Sequence, residues 1–161
     1  MHFDKLGLRF DYPDNWTVDI SDAQGGQAAV TVYSPDGGFW SVSAHAPGEP
    51  ASRLSDAVVA EMREEYRELD MEPASDGVGG LMLPGYDLNF YCLDLTNTAA
   101  VRTLETADAT YLLLCQAEDR EWDRIARVFS AITESFVRAL GHQGSGKAAR
   151  RSGDGGSSPP A

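Results

Sequence analysis

The side chains able to do chemistry are thinly spread in this sequence, and their densest grouping lies between Tyr86 and Arg102. Tyr86, Asn89 and Tyr91 fall on one β-rich run and Arg102 on the next. A turn at Asn97-Thr98 would pair the two runs and set Arg102 on the face that carries Asn89, Tyr91 and Leu93. A half-buried arginine in an acidic domain can bind a carboxylate ligand, or a partner's acidic group, through its planar fork of donors. The competing reading is an internal salt bridge or a snorkelling edge residue. Phe39-Trp40 is a second candidate: it follows a Gly-Gly turn, so one ring packs into the core while the other can anchor a partner.

Other chemistry is sought and not found. The sequence holds no G-x-S-x-G elbow, P-loop, dinucleotide glycine fingerprint or EF-hand loop. His2, His45 and His142 lie near the start, in a strand and near the end, with nothing to make them converge. Zinc needs several nitrogen or sulfur ligands, which these histidines and two distant cysteines do not supply. Asp94 and Glu105 share a sheet face but stand some four residues apart along it, about 13 Å, too far for a general acid–base pair. No catalytic residue, metal or cofactor is therefore expected.

Charge narrows the partners. The 161 residues carry a formal net charge of −12. Setting aside residues 141–161, with Lys147, Arg150, Arg151 and Asp154, leaves ten basic against twenty-four acidic residues, or −14. Such a field repels phosphate backbones and anionic membranes, so neither nucleic acid nor membrane is an expected partner. No apolar run is long enough to span a bilayer, and the first residues lack the basic and apolar regions of a signal peptide. Cys92 and Cys115 sit in apolar runs without CxxC spacing, as two buried thiols in a reducing compartment. A cytoplasmic protein is expected.

The elements that would hold these residues follow from periodicity. Gly7 to Pro13 is an extended segment ended by a proline turn, and Trp16 to Ile20 is a second. Ala28–Ser34 and Phe39–Ala46 form a hairpin about Pro35-Asp36-Gly37-Gly38, with a loop over Asp22–Gln27 before it. Leu54, Val58, Met62, Tyr66 and Leu69 mark an amphipathic helix, with Ser55 as its N-cap and Leu54 and Val59 as a hydrophobic staple. Pro73, Gly77, Gly79 and Gly80 return the chain to extended structure. A meander follows over Tyr86–Thr96, Ala99–Thr106 and Thr110–Ala117, placing Cys92 opposite Thr103 and the two thiols about 10 Å apart with one strand between them. Trp122, Ile125, Phe129, Ile132, Phe136 and Leu140 form the stripe of a closing helix, stopped at Gly141. The fold class is α+β, an antiparallel sheet of about six to seven strands sandwiched by two main helices. Residues 1–140 make one domain, and the Gly/Ser/Pro-rich 141–161 read as a disordered tail.

The opening pattern F-x-Y-P-x-x-W, carried by Phe10, Tyr12, Pro13 and Trp16, joins Gly85 before the long strand and Ile132, Ser135 and Phe136 in the closing helix. Together they resemble the superfamily that includes the photosystem II extrinsic protein PsbP, a Ran-binding nuclear import factor and many small bacterial domains. The resemblance spans Phe3 to Leu140 and implies an α-β-α sandwich. It also implies a binding, accessory or chaperone-like module, since the superfamily offers no shared catalytic motif. PsbP works behind a targeting sequence that this chain does not show. The expected function is thus a non-enzymatic adaptor that engages another protein near Tyr86 to Arg102, its oligomeric state open. The rivals are a self-associating structural subunit and a small-substrate enzyme. The enzyme would use a pocket between the sheet and the first helix, with Arg102 as anion anchor and Asp94 or Glu105 as base.

Overall fold

The structure, a computed structural model, describes residues 1–23 and 27–156, with side chains for 1–21 and 28–141. Its first element is a hairpin of β1 (His2–Lys5) and β2 (Leu8–Asp11). Leu6 and Gly7 turn it with φ of 58° and 75°, the paired positive dihedrals that a two-residue hairpin turn requires. The extended segment read from Gly7 is therefore the return strand of a pair. The hairpin's apolar side chains Phe3, Leu8 and Phe10 are buried, with Phe10 packed 4.9 Å from both Phe3 and Trp40.

Seven further strands form one antiparallel sheet in the order β3-β4-β5-β9-β8-β7-β6. β3 (Thr17–Ala23), β4 (Gln27–Tyr33) and β5 (Phe39–His45) pair in sequence. The turn expected at Pro35–Gly38 is there, closed by Ser34, whose N–H donates to the Gly38 carbonyl and whose Oγ accepts the Gly38 N–H. The loop expected over 22–27 is shorter, because β3 reaches Ala23 and β4 begins at Gln27; its residues 24–26 lie outside the described residues.

Helix α1 (Ala51–Glu65) begins a turn earlier than its apolar spacing suggests. Pro50, at φ −63°, occupies the N-cap and is pre-set for helix entry. Ser55 is consequently no cap. It is buried inside the helix and donates to the Ser52 carbonyl. The exposed N–H of Ala51 is taken up by Glu105 Oε1, 2.9 Å away on a distant strand.

β6 (Asp70–Val78), β7 (Leu81–Cys92), β8 (Leu95–Glu105) and β9 (Thr110–Glu118) complete the sheet. β6 escapes a sequence reading because Pro73 and Gly77 are poor strand formers, but it is an edge strand, where a missing N–H costs no ladder bond. The β7–β8 turn lies at Leu93 and Asp94, with φ of 53° and 65°, and not at Asn97-Thr98. Asn97 is buried, its amide donating to the Leu95 carbonyl. Cys92 therefore faces Leu95, eight residues from the expected Thr103. Because eight is even, every β8 side chain keeps its expected face while moving about 27 Å along β7.

α2 (Asp119–Gly156) carries the core stripe Ile125, Phe129, Ile132 and Phe136, all buried. Its backbone runs past the stop expected at Gly141: a glycine within a helix only weakens it, and Lys147 to Arg151 is a run of good helix formers. The last residues of the expected tail, 157–161, lie outside the described residues. The sheet separates two apolar clusters, one with β1, β2 and α2 and the other with α1. This is the α+β sandwich the resemblance implied.

Candidate functional site

Arg102 lies on the α2 side of the sheet, opposite Gly85 on β7 and Leu113 on β9. Only 9% of its side chain is exposed. Nε donates to Asp76 Oδ2 at 3.0 Å and Nη2 to Asp87 Oδ1 at 2.7 Å. Nη1 donates to the carbonyls of Tyr86 and Val101, each at 3.0 Å. Four of its five N–H donors are thus engaged within the protein. Burial opposes the guanidinium charge, but the hydrogen bonds and charges of Asp87 and Asp76 outweigh it and hold the pKa above its ordinary value. Arg102 is an internal salt bridge, not a free anion anchor.

The close approach behind this clamp depends on Gly85. A Cβ there would overlap the Val101 carbonyl oxygen. The absence of a side chain lets β8 press against β7 and brings the guanidinium level with Asp87 and the Tyr86 carbonyl.

Arg102 forms one wall of a cavity of about 450 Å³ between the sheet and α2. Trp40 and Cys115 line it from the sheet, Asp76 and Asp87 from the outer strands, and Trp122 and Phe129 from the helix. Small residues line it from both sides, Ala126 and Ser130 on α2 and Ala100 and Gly77 on the sheet. Thr133 accepts the Trp40 indole N–H at 2.9 Å, and Glu134, paired with Arg138 at 2.8 Å, stands at the rim. The described lining carries three carboxylates against one guanidinium. Burial pushes the Cys115 thiol up to about 12, so it is a neutral group at physiological pH rather than a nucleophile.

The residues read from sequence as one partner site are dispersed. Tyr86 is on the opposite face, its hydroxyl donating to Asp56 of α1 at 3.0 Å. That bond and the Asp56 charge raise the Tyr86 pKa. Asn89 and Tyr91 do share the Arg102 face but pair with Thr98 and Thr96, about 13 and 20 Å further along β8. They line a separate, mostly polar cleft with Asp70 and Asp119, where Thr98 links Asn89 to Asp119. Trp40 is core at 1% exposure, and Phe39 is half-buried on the other face against Tyr33.

The pocket required between the sheet and α1 is filled, since Val59 and Met62 pack against Leu88, Ala99 and Val101. Glu105 is engaged at the start of α1, and Asp94 sits in the turn before Leu95, roughly 33 Å away along β8. The two thiols are free and half-buried, and they lie on opposite faces of the sheet, Cys92 with the α1 cluster and Cys115 with the α2 cluster.

Sequence reasoning missed Asp76, Asp87 and the helical side of the cavity. Its one legible trace is Ala126, Ser130 and Thr133 at i, i+4 and i+7, a small-residue line beside the bulky stripe.

Fold and cavity together define an α+β module with one helix on each face of its sheet and a walled site under the second helix. Solved structures share that fold. The solution structure of cyanobacterial PsbP (CyanoP) from Synechocystis sp. PCC 6803 superimposes with a TM-score of 0.55 at 14% identity, covering 84% of this chain and 89% of that one. A crystal structure from Bacteroides thetaiotaomicron VPI-5482 gives 0.51 at 12% identity, covering 77% of this chain and 43% of that one. The chain has the PsbP-like fold, and at these identities the likeness is one of fold. No family profile and no curated protein sequence matches it.

Proposed function

We propose that the protein is a cytoplasmic, non-enzymatic binding or accessory module that engages another protein through the cavity between its sheet and α2. The observation that carries this reading is the cavity's construction. A buried Arg102, with four of its five donors engaged, and its two carboxylates give it a fixed polar wall, and Trp40, Trp122 and Phe129 give it an apolar one. Ligand sites combine a largely apolar concave surface of about 300–1,000 Å³ with a few fixed polar groups. The same wall offers neither a free guanidinium to anchor an anionic substrate nor a thiolate nucleophile, because Arg102 is committed and Cys115 stays protonated. Among the described residues no helix is long and apolar enough to cross a membrane.

The test is capture with cavity-filled variants. Ala126→Trp and Ser130→Trp should each lose a protein retained by the wild-type chain, while Glu61→Gln on the outer side of α1 keeps it. An identical captured set from all four proteins would end the proposal.

A further inference from the structure

The partner group that this cavity is built to receive can be narrowed by charge. Resting on the reading of the cavity as the binding site, we infer that its occupant is a lysine or arginine side chain of the partner, carried next to an apolar side chain.

Arg102 has four of its donors bound inside the protein, so an incoming carboxylate would find one free N–H and two flanking aspartates. The aspartates are differently placed. Asp76 gives Oδ2 and Asp87 gives Oδ1 to Arg102, so each keeps one oxygen that Arg102 does not take, on side chains that remain 56% and 49% exposed. Glu134, whose Oε1 pairs with Arg138, adds a third carboxylate at the rim. The local sign is therefore opposite to what a lone buried arginine suggests from sequence, and it agrees with the −14 of residues 1–140. The apolar wall supplies the rest: Trp122 and Phe129 can cover an aliphatic stem, and an indole face attracts an ammonium or guanidinium. A cation on a long apolar stem satisfies both walls, whereas a purely apolar side chain would cover the open carboxylate oxygens and leave them unpaired.

The experiment uses the full chain, ¹⁵N-labelled, and three blocked dipeptides: acetyl-Phe-Lys-amide, its norleucine counterpart and its glutamate counterpart. The indole N–H signals of Trp40 and Trp122 report occupancy. The lysine peptide should bind about five- to tenfold tighter than the norleucine peptide, with glutamate weakest, and the preference should shrink as salt is raised. Asp87→Asn and Glu134→Gln should each reduce the preference for the lysine peptide over the norleucine peptide. Glu134 is on the exposed side of α2, so its variant reports even where Asp87→Asn weakens the fold.

Equal affinity for lysine and norleucine, a tighter glutamate peptide, or a lysine preference untouched by both variants would overturn the inference and leave the cavity as a site of other specificity. Absence of any shift with all three peptides would overturn both the inference and the reading on which it rests.

Discussion

Gly85 and Arg102 face each other across β7 and β8, and the hydrogen at the Gly85 Cα is what lets the two backbones close up beneath the guanidinium. The obstacle to any larger residue is the Val101 carbonyl, which is backbone and cannot swing aside. Gly85→Ala should therefore destabilise the fold by about 2–3 kcal/mol, read as a lower urea midpoint. Gly141→Ala, where nothing lies within 4 Å of an added Cβ, is the control. Equal midpoints for the two variants would refute the account of β7–β8 packing.

The clamp itself can be apportioned. A double-mutant cycle on Arg102→Met and Asp87→Asn should give a coupling energy of about 1–2 kcal/mol, discounted for the half-exposed carboxylate. Arg102→Lys should recover little of it, because a point charge cannot reach two aspartates and two carbonyls in one geometry. Full stability in the lysine variant would show that the fork shape is irrelevant.

Cys115, with its thiol pushed up to about 12 by burial, should resist alkylation in the folded protein. In a Cys92→Ala background, iodoacetamide at pH 8 should leave the intact mass unchanged until denaturant is added. Rapid labelling of the folded variant would mean that the cavity floor is open to reagent and the thiol activated.

His45 at the end of β5 gives a pH signature. Burial lowers its pKa below the ordinary 6.5, with the Glu49 charge pulling the other way. The unfolded chain then binds more protons than the folded one between the lowered value and 6.5, so this contribution to stability is complete above 6.5 and is lost as pH falls through that window. His45→Gln should flatten the dependence of the urea midpoint on pH between about 5 and 7. A slope identical to wild type would assign the dependence elsewhere.

How much of this was legible follows from the physics of each element. Helix α2 was readable because Ile125, Phe129, Ile132 and Phe136 repeat at the helical period and are all buried. The two ends of the resemblance do meet: the Ser135 hydroxyl accepts the Asp11 N–H at 2.8 Å and passes its own hydrogen to the Ile132 carbonyl. The β7–β8 register was not readable. Its turn is made by Leu93 and Asp94 in left-handed conformations, while Asn97-Thr98 carries the residue types that usually turn.

The sequence alone determined the class of fold, the acidic field and the committed core stripe, because periodicity and net charge are properties of local order and sum. The site was decided by tertiary structure. Which residues gather around Arg102 depends on register across β6, β7 and β8, and an eight-residue slip keeps every face while changing every neighbour. It moved Asn89 and Tyr91 away from Arg102, brought Asp76 and Asp87 to it, and so reversed the sign of the surface that a ligand would meet.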